Sequence, residues 1–572
     1  MEEIETNTLL LNPKKHNRYY PDERSREVML KTIQFFENKG KRKLKQDDRE
    51  CVWYADFLEF QKNEKIFATL LTPSGYGDGD CRWDSWRNSE FNEILAFYGL
   101  GYWYTWQVSI LGLGPIWQSE NAELKHKAAR LLNEGEVFAF GLSERQHGAD
   151  IYSTQMSLTP QPDGNYLANG EKYYIGNGNL APMVSTFGKL APTGEYVFFV
   201  ADYRQKGYEL IRNVTNSQSY VANFALHDYP ITDADILSKG QAAWDAALNT
   251  VNIGKYNLGW GSIGICTHAF YEAIQHAGYR RLYGMAVTDF PHVKMMFTEA
   301  YARLVAMKLF TLRAADYMRV ASSEDRRYLL YNPVVKMKVT TQGEQVINLL
   351  WDVIAARGFE KDMYFEMAAR DIRALPKLEG TVHVNIALIV KFMANYFFNH
   401  KDYPHVSRQD EARNDDFLFH QGPAKGLSKI QFHDYSPIFD SLSVPNVRIF
   451  AEQVQVFKNM LAQATPSQEQ VKDTDFLLTL GEAFTQVVYG QLILENAELY
   501  SIGNDLVDQI FDFMVRDLSG FALKLYSQPN TTREQMEFCH QMIQRPAVNY
   551  DRFDRVWLSQ VYPLKDEYEM NP

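Results

Sequence analysis

The hydrophobic period of this 572-residue chain changes twice, and that pattern limits the fold more than any other feature. Near the start Met29, Ile33 and Phe36 recur at helical spacing, with Gly40 where a helix would stop. Pro73 to Gly79 breaks the pattern, and apolar, helix-length runs resume from Phe91 to Trp117. From Val137 to about Leu226 the runs become short and rich in Tyr, Phe, Val and Thr. Asp163-Gly164 and Asn169-Gly170 punctuate them, the second pair being a candidate type I′ hairpin, and Glu195 to Val200 reads as a buried strand. Helical spacing returns near Gln241 and persists to about His400. Prolines and glycines between Pro404 and Pro445 mark an irregular connector. Beyond it Leu480, Phe484, Val487, Val488 and Leu492 share one helix face, and Leu506, Ile510 and Phe513 continue a similar stripe. The expected architecture is mainly α with a small central β domain: helices over 1–125, the β domain over 126–240, a helical bundle over 241–400 and a C-terminal helical extension over 401–572.

Charge and composition exclude several classes. The net charge is −12, and the only basic run, Lys39 to Lys45, reads as a solvated helix end. A nucleic-acid groove needs clustered cations, so no nucleic-acid partner is expected. The four cysteines have no Cys-x-x-Cys spacing, which suggests neither a disulfide framework nor a metal site and fits a reducing compartment. The acidic start Met1-Glu2-Glu3 lacks signal-peptide order, and no run reaches the ~20 apolar residues of a bilayer span. The expected location is cytoplasmic. The C-terminal stripe packs against the body of the protein or makes a peripheral membrane or partner contact.

Three groups of residues can carry chemistry. Phe138 to Asp150 and Asn169 to Gly178 each read as a strand leading to a glycine-containing loop. Arg280-Arg281-Leu282-Tyr283-Gly284 follows a helix, and Arg280 taken alone is an exposed helix-end arginine. Asp352 to Phe359, Arg370-Asp371-Ile372-Arg373 and Glu379-Gly380-Thr381 lie in the second helical region. Taken alone, Thr381 is an N-cap for the apolar stretch Val382 to Phe398, and Glu379 is an acid favoured by the helix dipole.

In this order and spacing the segments resemble the acyl-CoA dehydrogenase family over about residues 20–400, and the remainder is similar to the helical extension of its long-chain members. The resemblance implies FAD as cofactor. It implies that Phe140, Leu142 and Ser143 line the flavin, with the Leu142 and Ser143 amides and the Ser143 hydroxyl donating to its pyrimidine edge, and that Tyr174, Gly176, Thr381 and His383 also belong to the cofactor site. Arg280 would reach the FAD pyrophosphate of a neighbouring subunit, so a homodimer or tetramer is implied. Glu379 would remove the α-proton of an acyl thioester, with substrate binding expelling water to strengthen a base whose ordinary pKa is ~4.3. An earlier position that carries the base in some members is Gly254 here; its neighbour Lys255, with Asn252, would contact substrate.

The chain departs from the family pattern at Arg145 (Pro), Ala149 (Ser), Tyr174 (Trp), Gly176 (Thr), Asp352 (Gln) and Ala355-Ala356 (Gly-Gly). The substrate is expected to be an acyl-CoA or an acyl group on a carrier protein, and the electron acceptor an electron-transfer flavoprotein or, in an oxidase, oxygen. A flavin monooxygenase or nitroalkane-type oxidase, or a catalytically silent binding protein, remains an alternative.

Overall fold

The computed structural model describes residues 9–16 and 18–572. The central change of period becomes one eight-stranded sheet: β1 Ala139–Gly141, β2 Ser157–Pro160, β3 Tyr166–Gly176, β4 Val184–Leu190, β5 Tyr196–Ala201, β6 Tyr208–Asn213, β7 Val221–Ile231 and β8 Ile236–Lys239. Its order is β6-β7-β3-β2-β4-β5-β8, with β1 running parallel to β4 off that path. Leu158, Ala168, Val197, Phe199, Phe224 and Ile231 form its buried core, as side chains alternate between the faces of the pleat.

One expected turn is something else. Asp163-Gly164 does turn the chain from β2 into β3, with the Asn165 amide donating to Asp163 Oδ1 at 3.0 Å. Asn169-Gly170, expected as a hairpin turn, lies inside β3: Asn169 pairs with Ser157, Gly170 with Leu226, and the β3–β7 register shifts between Ala168 and Gly170 as a bulge. The glycine serves close approach and not reversal, since a Cβ there would stand 2.9 Å from Met156 Cα.

Contacts divide the chain into two units. The mixed unit comprises Arg18–Asn257, Asp410–Lys425 and Met570–Pro572; the helical unit comprises Leu258–Gln409 and Gly426–Glu569 with residues 9–16. The divide falls within one long helix, Gly240–Tyr279. In the mixed unit the first helix, Glu23–Lys39, ends at Gly40 as its spacing predicts, and the last helix before the sheet runs Ala122–Asn133. Phe36 stacks on Tyr98 with ring centroids 4.6 Å apart, so part of the aromatic richness is ordinary core. Part of the connector returns to this unit, where Asp415 receives the Ser85 amide and gives its own amide to the Trp83 carbonyl, both at 2.7 Å. The Lys39 to Lys45 run is not simply solvated: Lys45 is buried, and Lys39 pairs with Asp47 at 2.8 Å and Asp56 at 2.6 Å.

In the helical unit, Pro291–Arg319 packs against Thr340–Ile354, Thr474–Leu499 and Asn504–Tyr526. The C-terminal stripe Leu480, Phe484, Val487, Val488 and Leu492 is fully buried, which is the packing reading of that face. The helix Thr474–Leu499 is, contrary to expectation, long and apolar enough by length and composition to cross a membrane, but 83% of its most apolar window is buried. Ion pairs hold the extension to the Pro291–Arg319 helix, among them Arg303–Asp517 at 2.9 Å, Arg313–Glu495 at 2.8 Å and Arg516–Glu299 at 3.0 Å.

Candidate active site

The expected cofactor residues Phe140, Leu142, Ser143, Tyr174 and Gly176, with Asn252 and Lys255, belong to the mixed unit; Arg280, Glu379, Thr381 and His383 belong to the helical unit.

The loop after β1 is tied to β3 by a buried ion pair. Lys172 Nζ donates to Glu144 Oε1 at 2.8 Å and to the Leu142 carbonyl at 2.9 Å. Glu144 also accepts from the Gln155 amide at 2.8 Å and the Met156 amide at 3.1 Å. Burial pulls Lys172 down to about 8, while burial of Glu144 is outweighed by Lys172 and these donors, which hold its carboxyl below the ordinary range. Just past the end of β3, the Asn177 side chain donates to the Phe138 carbonyl at 3.0 Å and to the Thr105 carbonyl at 3.1 Å. Glu144, Lys172 and Asn177 therefore fix where the loop lies. A buried Lys-Glu pair across two motif segments was the available signal, though spacing alone does not reveal which carboxylate a lysine meets.

Two expected donors are already used. The Ser143 hydroxyl donates to the Tyr173 carbonyl at 2.9 Å, and the Leu142 amide donates to the Phe140 carbonyl at 3.0 Å. The first bond pins the loop to β3, and the Tyr173 amide reciprocates to the Ser143 carbonyl at 3.0 Å. The second closes only a three-residue ring, a bent and weak bond that an external acceptor can replace. Tyr174 sits at φ +68° and is 43% exposed. At Gly176 a Cβ would lie 2.7 Å from Tyr104 Cε1 and 2.8 Å from Val108 Cγ1. Tyr104 thus fills the room that a threonine would need, which is why this position is glycine. Asn252 and Lys255 are buried on the long helix, and the neighbouring Gly254 carbonyl accepts from Gln107 Nε2 at 3.0 Å.

In the helical unit the run to Glu379 ends in two left-handed residues, Glu379 at φ +52° and Gly380 at φ +87°. The Val382–Ile389 helix follows, with Thr381 as N-cap accepting the Val384 amide at 3.5 Å. Gly380 tolerates its conformation for want of a Cβ; Glu379 holds it at a cost of about 1–2 kcal/mol. Asn385, a residue the sequence did not single out, secures the turn by donating to the Thr381 carbonyl at 2.9 Å and the Gly380 carbonyl at 3.2 Å. Glu379 is half-buried with its Oε2 shielded from solvent, whereas His383 is exposed. Arg280 is exposed where the long helix ends, beside a hairpin, Arg281–Leu282 with Met285–Ala286, whose turn residue Tyr283 is 95% exposed.

Residues 243–394 match the family model described as acyl-CoA dehydrogenase, C-terminal domain. The short-chain specific acyl-CoA dehydrogenase of Megasphaera elsdenii is 26% identical over 320 residues, 51% of this chain and 78% of that protein. The caffeyl-CoA reductase-Etf complex subunit CarC of Acetobacterium woodii is 24% identical over 308 residues, 52% of this chain and 79% of that protein. The structure of an acyl-CoA dehydrogenase complexed with FAD from Bacillus anthracis superposes with a TM-score of 0.72, 16% identity, and coverage of 98% of this chain and 97% of that one. The chain therefore has the acyl-CoA dehydrogenase fold along nearly its whole length. Over 243–394 it carries that family's C-terminal domain.

Proposed function

We propose that this protein is an FAD-dependent enzyme that removes the α and β hydrogens of an acyl-CoA, with Glu379 as the base for the α-proton. The observation that carries this reading is the Glu379 turn. A carboxylate with a shielded oxygen stands in a left-handed conformation immediately before a capped helix, and buried Asn385 holds the turn's carbonyls. A non-glycine residue kept in such a conformation marks a site where geometry matters more than local stability.

The loop residues suit a flavin in shape. The half-buried Leu142–Ser143 peptide adjoins the exposed Tyr174 ring through the Ser143–Tyr173 bonds, and the weakly held Leu142 amide is a donor that a pyrimidine carbonyl can take. Bound there, the flavin would supply a two-electron acceptor for the β-hydrogen. Glu379 receives the α-proton, and closure of water away from the carboxylate by the acyl chain strengthens it as a base. Thr381 and Asn385 keep the Glu379 turn in place, and the buried Lys255 and Asn252 sit as polar groups for the thioester. Arg280, exposed at the helix end, would serve the pyrophosphate of a second copy in a dimer or larger assembly. Electrons pass to an electron-transfer flavoprotein, a reading supported by the relative that is a subunit of an Etf complex.

The test is anaerobic titration of the purified protein with acyl-CoAs of graded chain length while the flavin band near ~450 nm is followed. At least one chain length should bleach it. A flavin-loaded protein that no acyl-CoA or acyl-carrier thioester bleaches would refute the activity.

A further inference from the structure

We propose that Tyr104 belongs to the flavin site and supplies, from the helix Leu100–Gln118, the hydroxyl that Gly176 lacks. The inference rests on the reading that puts Gly176 beside the cofactor, and it adds to that site a residue outside every motif segment.

The two positions share one space. A Cβ on Gly176 would lie 2.7 Å from Tyr104 Cε1 and 3.1 Å from Tyr104 Cζ, the carbon that bears the phenol oxygen. A threonine hydroxyl at position 176 would stand one bond beyond that Cβ, and the Tyr104 hydroxyl stands one bond beyond Cζ. Each brings an O–H to the same neighbourhood, one from the strand and the other from the helix. A phenol donates and accepts hydrogen bonds as an aliphatic hydroxyl does, so the exchange keeps the chemistry.

Tyr104 is held there and left open. Next to Gly176, the Asn177 side chain donates to the Thr105 carbonyl at 3.1 Å and to Ser109 Oγ at 3.3 Å, and accepts from Thr105 Oγ1 at 3.0 Å. These bonds lock the end of β3 to the helix beside the contact, so the placement of the phenol is set before any ligand arrives. From Tyr102 to Trp117 every residue of the helix is buried except Tyr104. A helix apolar all round has no solvent face, so the half-exposure of one tyrosine within it is a local opening. Leu142 and Ser143, the loop residues expected at the flavin, are half-buried in the same way.

The FAD affinity of the full-length protein tests the assignment, measured by calorimetric reconstitution after the flavin has been stripped. Tyr104→Phe keeps the ring and removes only the hydroxyl, and it should weaken FAD binding by about three- to tenfold, the worth of one hydrogen bond. The thermal midpoint of the flavin-free protein should not move. Tyr102→Phe, at a fully buried tyrosine of the same helix, should leave FAD affinity as it is in the parent. Undiminished FAD binding by Tyr104→Phe, or an equal loss in Tyr102→Phe, would overturn the proposal. A parent protein that takes up no FAD would overturn the cofactor site and the role of Tyr104 together. The readout involves no acyl-CoA, so a flavin-loaded protein that no thioester bleaches would refute the activity and leave Tyr104 at the flavin.

Discussion

Ala355 stands where the family has the first glycine of a pair, and it keeps the glycine's conformation, φ +56° and ψ −139°, in spite of its Cβ. Restoring the glycine removes that clash, so Ala355→Gly should raise stability by about 0.5–1 kcal/mol, read as a higher denaturant midpoint. An unchanged or lower midpoint would mean that the strain has been relaxed elsewhere. Lys172 poses the opposite case. Its side chain is fully buried against Glu144, so Lys172→Met leaves a buried carboxylate without its cation and should destabilise by about 3–5 kcal/mol. Adding Glu144→Gln should recover part of the loss; a double variant less stable than Lys172→Met would contradict the pairing.

Around Glu379 the helix cap and the turn make separate contributions. Thr381 accepts the Val384 amide at 3.5 Å, a long bond, so Thr381→Ala should cost about 0.5–1 kcal/mol. Asn385→Ala leaves two carbonyls of the turn without its amide and should cost about 1–3 kcal/mol. It should also slow flavin reduction by acyl-CoA while leaving flavin content unchanged; equal slowing by both variants would argue against a special role for Asn385. These elements also show how far sequence reading reached. The Thr381 cap, the buried β5 and the helix stop at Gly40 were legible because each depends on local spacing. Asn169-Gly170 was not, because the dipeptide that favours a type I′ turn also suits a bulge, and the choice rests on β2 lying against it. Gly176 could be read only as a missing threonine until Tyr104, far away in sequence, was seen to fill its place. Asn385 carried no signal, since its partners are carbonyls, which every residue has.

At the scale of the whole molecule, the C-terminal extension from Gly426 to Glu569 is part of the helical unit's core and not an appended surface, and its ion pairs give it a pH dependence. Burial would raise the Glu495 carboxyl, but the His433 and Arg313 donors outweigh it and hold the group far below its ordinary range; Asp517 is lowered likewise by Arg303 against its burial. A depressed folded-state carboxylate stabilises above its unfolded pKa and loses that contribution as pH falls. Thermal stability should therefore drop on acidification below about pH 4–5. Glu495→Gln should be about 3–5 kcal/mol less stable at neutral pH and show a shallower acid decline. Parallel pH curves for parent and variant would remove Glu495 from this role. The central claim is chemical: Glu379 takes the α-proton. It is tested most directly by α-hydrogen exchange in heavy water, using an acyl-CoA analogue that cannot be oxidised at the β-carbon. The parent protein should exchange the α-hydrogen, and flavin-replete Glu379→Gln should be slower by about 10²–10⁴-fold. Exchange at the parent's rate in that variant would contradict the assignment.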